Sequence, residues 1–163
     1  MQPDTVCGTT LMRVDENQVQ IDNNPIAPSL LYDISVCLPN LKRLKINGNL
    51  SCNMSSQSIR FNTNVTFENL DHFEFSNFSE CLEFHAYLAK NVFTSHLDTI
   101  VYKNCVVNED NIKSIKKFVK QAKFVHFLGY QYVSIKSRLC DRLQMNTIHD
   151  DPAKDVISCK VYA

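Results

Sequence analysis

The chain is poor in the features that usually mark chemistry. Only three glycines stand among 163 residues, and neither a G-x-S-x-G elbow nor a glycine-rich phosphate loop is present. The cysteines at 7, 37, 52, 81, 105, 140 and 159 include no C-x-x-C pair, and the five histidines include no H-x-x-x-H pair. A zinc cluster wants tighter ligand spacing than this. No metal or cofactor is therefore expected, and no catalytic residue is assigned. Lys and Arg total 17 and so do Asp and Glu, for a net charge of zero. Nucleic-acid binding usually depends on a basic face, and with this balance only a local patch could supply one, so no nucleic-acid partner is expected. No apolar run approaches the roughly 18–20 residues of a membrane span. Met1 is followed by Gln, Pro and Asp, with no basic-then-apolar stretch, so no signal peptide is expected. An odd number of cysteines scattered along the chain looks like small apolar residues in a reduced compartment.

What is present is a spacing that recurs. Leu41, Leu44, Ile46 and Asn49 are arranged as L-x-x-L-x-L-x-x-N. Leu70, Phe73, Phe75 and Phe78 repeat the arrangement, as do Leu97, Ile100, Tyr102 and Cys105. Weaker copies run through Ala122, Val125, Phe127 and Tyr130, and through Glu16, Val19, Ile21 and Asn24. The starts lie 25, 29, 27 and 25 residues apart. The last two apolar positions before the ninth are two residues apart, so both face one side of a strand. Strands at Gln18–Asp22, Leu41–Ile46, Leu70–Phe75, Leu97–Tyr102 and Phe124–Leu128 would then bury Leu44, Phe73, Ile100 and Val125 as one ladder. Ile46, Phe75, Tyr102 and Phe127 form a second.

Between these strands, Leu30, Leu31, Ile34 and Leu38 are at helical spacing after Pro28, and Pro39 stops the run. Ser79 is placed to cap a helix that buries Cys81, Leu82, His85, Ala86, Leu88 and Ala89. His85 reads as a helix residue with a local partner. Asn108 is placed to cap another, with Ile112, Ile115, Phe118 and Val119 inside and Lys113, Lys116, Lys117 and Lys120 outside. Residues 50–68 are rich in Ser and Asn and show no good helix. Residues 1–15 read as an arm or cap. Residues 131–163 read as a second cap, with a helix around Ile135–Leu143 and a strand near Val156–Val161.

This spacing and period resemble the leucine-rich-repeat family over residues 16–130, about four to five repeats. Cys or Asn at the ninth position is similar to the intracellular cysteine-containing type. Leu38-Pro39-Asn40-Leu41-Lys42-Arg43-Leu44 and Val107-Asn108-Glu109-Asp110-Asn111-Ile112 resemble repeats of F-box proteins. The resemblance implies an α/β solenoid, with parallel strands on a concave face and helices or loops behind. It also implies a non-enzymatic, cytoplasmic or nuclear module that holds a protein substrate for ubiquitin transfer. The partner would dock on the concave strand face, against Arg43, Lys45, His72, Glu74, Lys103 and His126. Oligomeric state is not read from the sequence.

Two other readings stay open. Four N-x-S/T sequons begin at Asn49, Asn53, Asn64 and Asn77, three of them within 49–66. If used, they make the chain an extracellular glycosylated domain of a receptor or secreted protein, with some cysteines paired. A small enzyme on another α/β fold would need a clustered polar pocket.

Overall fold

The computed structural model describes residues 2–6, 9–15, 17–22, 28–47, 64–78, 82–132, 139–151 and 153–161. Its centre is five parallel strands laid down in chain order. They are β3 (Gln18–Asp22), β4 (Arg43–Asn47), β6 (His72–Ser76), β8 (Thr99–Lys103) and β10 (Phe124–Leu128). The recurring spacing explains the register. Val19, Leu44, Phe73, Ile100 and Val125 are direct neighbours across the strands, and so are Ile21, Ile46, Phe75, Tyr102 and Phe127. All ten are buried. The rings of Phe75, Tyr102 and Phe127 stack in line, with successive centroids 5.2 Å apart, close to the ~4.8 Å separation of neighbouring strands. The parallel strands from β4 to β10 are started in one way: two consecutive N–H groups donate to the carbonyl of the residue just before the preceding strand. Asp71 and His72 use Lys42 O, Asp98 and Thr99 use Asp71 O, and Lys123 and Phe124 use Asp98 O.

The expected leucine-rich-repeat solenoid is not what forms. The sheet has nine strands and is mixed, in the order β1-β2-β3-β4-β6-β8-β10-β13-β12. β1 (Gln2–Val6) and β2 (Thr9–Asp15) join antiparallel on one side. β13 (Val156–Val161) and β12 (Met145–Asp151) do so on the other. Connection length decides this. Two residues separate Asp15 from Gln18 and four separate Asp151 from Val156, whereas a parallel neighbour needs a crossover of about a dozen residues or more. Residues 2–15, expected as an arm or cap, thus contribute two sheet strands.

The crossovers are also unlike one another. α1 (Pro28–Cys37) starts at Pro28 and ends two residues before Pro39. α2 (Leu82–Asn91) and α3 (Ile112–Val119) pack together. Two short parallel pairs lie apart from the main sheet. They join β5 (Val65–Phe67) to β7 (Val92–Thr94), and β9 (Val106–Val107) to β11 (Gln131–Tyr132). The outer edge of β7 is finished by a side chain: Gln121 Oε1 accepts from Thr94 N at 2.7 Å, and its Nε2 donates to Val92 O at 2.9 Å.

Several local expectations need correction. α2 buries Phe84 and Tyr87 together with His85 and Leu88, while Ala86 is exposed; Ser79, Glu80 and the side chains of Cys81 and Leu82 lie outside the described residues. Asn108 closes a turn before α3 instead of capping it, its Oδ1 accepting from Asp110 N and Asn111 N. The helix α4 is only Leu139–Arg142. The turn at Asn49, the sequons at Asn49 and Asn53, and Cys7 and Cys52 also lie outside the described residues.

Candidate docking face and polar pocket

Strands added in one direction through right-handed crossovers send every crossover over the same side of the sheet. The side carrying Leu44, Phe73, Ile100 and Val125 is therefore covered. No described element packs on the other side. Its side chains fall in three rows set by the register. Arg43, His72, Thr99, Phe124 and Lys160 form the first. Gln20, Lys45, Glu74, Val101, His126, Ser158 and His149 form the second. Asn47, Ser76, Lys103, Leu128 and Val156 form the third.

All six residues expected to bind a partner lie on this face, though not as one cluster. Lys45, His72 and Glu74 are together: Lys45 Nζ is 4.0 Å from Glu74 Oε2, and His72 Nε2 is 3.7 Å from Glu74 Oε1. The His72 imidazole beside it holds the Glu74 carboxyl below its ordinary value against the opposing effect of burial, helped by Lys45 and Lys103. Lys103 lies one row from Glu74 at the end of β8. Arg43 is exposed at the start of β4. His126 stands two strands from His72, with its Nδ1 2.7 Å from Ser158 Oγ. Burial, reinforced by His72, pushes its pKa down, partly offset by Asp98. Between these groups the half-buried Phe124 and Leu128 supply an apolar strip, with Val101 buried beneath its neighbours at 6% exposure.

The His126–Ser158 pair has the separation of a base and a nucleophile. No described carboxylate hydrogen-bonds the imidazole. Both residues sit on paired strands, whose N–H groups are engaged in the ladder and are not free to form an oxyanion hole. The pair is read as a positional contact between β10 and β13. No group of three His, Cys, Asp or Glu able to hold a metal occurs among the described residues.

A feature missed in the sequence lies at the ends of the strands. Asn77 and Asn104 follow β6 and β8 with φ of 60° and 53°, and Gly129 follows β10 with φ of 60°. Asn tolerates this left-handed conformation better than most residues. The carboxamides form a chain: Asn104 Nδ2 donates to Asn77 Oδ1 at 3.4 Å, and Asn77 Nδ2 to Asn47 Oδ1 at 3.0 Å. Beside this chain is a polar cavity of about 270 Å³, lined by Lys45, Glu74, Ser76, Asn77, Lys103 and Asn104 among others. The signal for it was an Asn just after each of two strands, 27 residues apart.

Two buried features lie away from the face. His85 is 1% exposed, and neither of its ring nitrogens has a hydrogen-bond partner among the described residues; the hydroxyl of Tyr102 has none either. Their ring centroids are 6.1 Å apart. The local partner expected for His85 is therefore absent from the described residues. Cys140 and Cys159 form a disulfide that ties α4 to β13, which corrects the reading of every cysteine as a reduced thiol. Cys105 is a buried thiol whose pKa burial raises to about 11. No helix among the described residues is long and apolar enough to cross a membrane.

No family model matches the chain, and searches of curated proteins and of solved structures return no match either.

Proposed function

We propose that this chain is a non-enzymatic protein-binding module whose partner docks on the open face of the sheet. The observation that carries the reading is the uncovered set of three rows described above. They mix an apolar strip with charges of both signs, all held on paired strands. A backbone already fixed in paired strands loses little further freedom on association, which lowers the entropic cost of binding. Arg43, Lys45, His72, Glu74, Lys103 and His126 are the contact residues in this reading. Its finer form, with a substrate of ubiquitin transfer as the partner, makes the chain the substrate-holding part of an F-box-type adaptor.

The test is a photo-crosslinking residue placed at 45, at 126, or at the exposed Lys113 on the far side, in the organism that makes the protein. Crosslinks to one partner from 45 and 126 but not from 113 are expected. Reversing charge with Lys45→Glu and Glu74→Lys should weaken that partner's capture while leaving the thermal transition in place. Crosslinks confined to 113, or unfolding of the charge-reversed variants, would sink the reading.

A second reading is favoured by the Cys140–Cys159 disulfide, since such bonds are rare in reducing compartments. Asn64 opens a sequon and is exposed, its Oδ1 accepting from Asn91 Nδ2 at 3.4 Å, whereas Asn77 is half-buried and uses both Nδ2 and Oδ1 in the carboxamide chain. These support an extracellular, glycosylated domain of a receptor or secreted protein using the same face. Intact mass of the native protein, before and after deglycosylation and after thiol alkylation, separates the two. Glycan mass with one bonded cysteine pair selects the second; an unmodified chain with seven alkylated thiols selects the first.

A further inference from the structure

We infer that the partner presents a carboxylate side chain, Asp or Glu in an extended segment, and that it enters the cavity between Lys45 and Lys103. This rests on the docking reading above and gives the partner a chemistry.

Size argues first. At about 270 Å³ the cavity falls below the ~300–1,000 Å³ of sites that enclose whole small molecules. It suits one side chain delivered from outside. Charge argues next. The lining has two ammonium groups and one carboxylate. That carboxylate, Glu74, is already approached by Lys45 at 4.0 Å and His72 at 3.7 Å. Lys103 is exposed and has no carboxylate within ion-pair distance among the described residues. The cavity therefore keeps a positive surplus at the Lys103 side.

Donor inventory argues third. A carboxylate only accepts, so it needs donors around it. Asn104 and Asn77 each spend one N–H on the next carboxamide, which leaves a second N–H on each of them. The Ser76 hydroxyl and the two lysines complete the set. The carboxamide hydrogen bonds hold Asn77 and Asn104 in place before a ligand arrives. A phosphorylated side chain is disfavoured, because its second negative charge would face Glu74.

The neighbourhood adds an apolar requirement. Leu128, half-buried, is the direct cross-strand neighbour of Lys103, and the half-buried Phe124 lies on the same face of β10. A segment that seats an acid in the cavity would lay an apolar side chain on this strip, one or two positions away.

Two measurements on the full chain test the inference. The first is an amide-shift titration with N-acetyl-glutamate α-amide, against its glutamine analogue. Saturable shifts are expected at Ser76, Asn77, Lys103 and Asn104 with the acid alone. Lys103→Gln should weaken binding by about tenfold, the factor for losing one charge-assisted hydrogen bond of ~1.5 kcal/mol. Equal response to both probes, or no saturable shift at these residues, overturns it. The second is selection of a displayed random-peptide library on the wild-type chain, followed by binding to Lys103→Glu and to Phe124→Ser, both checked for folding. Enrichment of peptides pairing an acid with an apolar residue, lost on Lys103→Glu, supports the inference. Peptides that survive Lys103→Glu but are lost on Phe124→Ser overturn the carboxylate anchor and leave the docking face standing. Peptides indifferent to both changes, or no enrichment, overturn both.

Discussion

His85 makes the stability of this protein depend on pH in a way that one substitution should erase. The residue is fully buried on α2 with the Tyr102 ring of β8 beside it, and burial alone lowers its pKa from 6.5 to about 4. In the unfolded chain the imidazole returns to its ordinary value, so between these two pH values the unfolded state binds the extra proton. Stability must then rise with pH across that window. The contribution is complete above about pH 6.5 and is lost progressively as pH falls toward about 4. With folded and unfolded values of about 4 and 6.5, protonation linkage gives a loss of roughly 2 kcal/mol at about pH 5. His85→Phe keeps a ring of similar size beside Phe84 and Tyr102 and removes the titrating group. Urea unfolding of both proteins from neutral to about pH 5 should give curves that diverge by this amount, with the variant the less acid-sensitive. At neutral pH the variant should be no less stable, because it also deletes two buried nitrogens without partners among the described residues. Parallel curves would show that His85 is hydrated or bonded in solution, and the reasoning would fail.

Three further outcomes follow from particular contacts. The double variant Cys140→Ala, Cys159→Ala removes a crosslink spanning 19 residues of sequence, which chain entropy values at about 3 kcal/mol; a wild-type urea midpoint unmoved by reductant would mean the bond does not form. Gly129→Ala forces a side chain onto φ +60 and places its Cβ 2.5 Å from Asn104 Oδ1, so a loss of about 1–2 kcal/mol is expected, together with altered amide shifts at Asn104 and Asn77. An unchanged midpoint would refute the strain argument. Gln121→Ala leaves Thr94 N and Val92 O without the carboxamide that engages them, and hydrogen exchange at the Thr94 amide should accelerate; unchanged protection would show that another group caps this edge.

How much of this could be read from the residues depends on which force set each element. The central strands were legible because alternation and spacing carry the same information twice. Phe73 and Ile100 are 27 residues apart in sequence and direct neighbours in the sheet, so a repeat in the sequence becomes a register. β12 was not legible. From Asn146 to Asp150 every residue is exposed, so no apolar alternation announces a strand; pairing with β13 makes it one. The same holds for the hairpin of β1 and β2, where a two-residue connection mattered more than pattern. On α2 the small residues Ala86 and Ala89 outline a helical stripe one step around from Phe84 and Tyr87, which are the residues the helix buries.

The candidate site divides along the same line. Alternation names the residues that face away from the core, and all six expected contact residues do. It cannot say whether that side is covered. The order of the strands answers this, since sequential parallel strands with crossovers of one hand cover a single side. The pocket needed still more: the bond from Asn104 to Asn77 joins residues far apart in the chain, and exists only because the register aligns two left-handed turns. The turns lie where each central strand hands the chain to its crossover, which is also where a parallel sheet leaves polar groups unshared with a neighbour. The edge hairpins have no such crossover. The polar groups of the cavity therefore concentrate at the ends of β4, β6 and β8, and the antiparallel edges serve to finish the sheet.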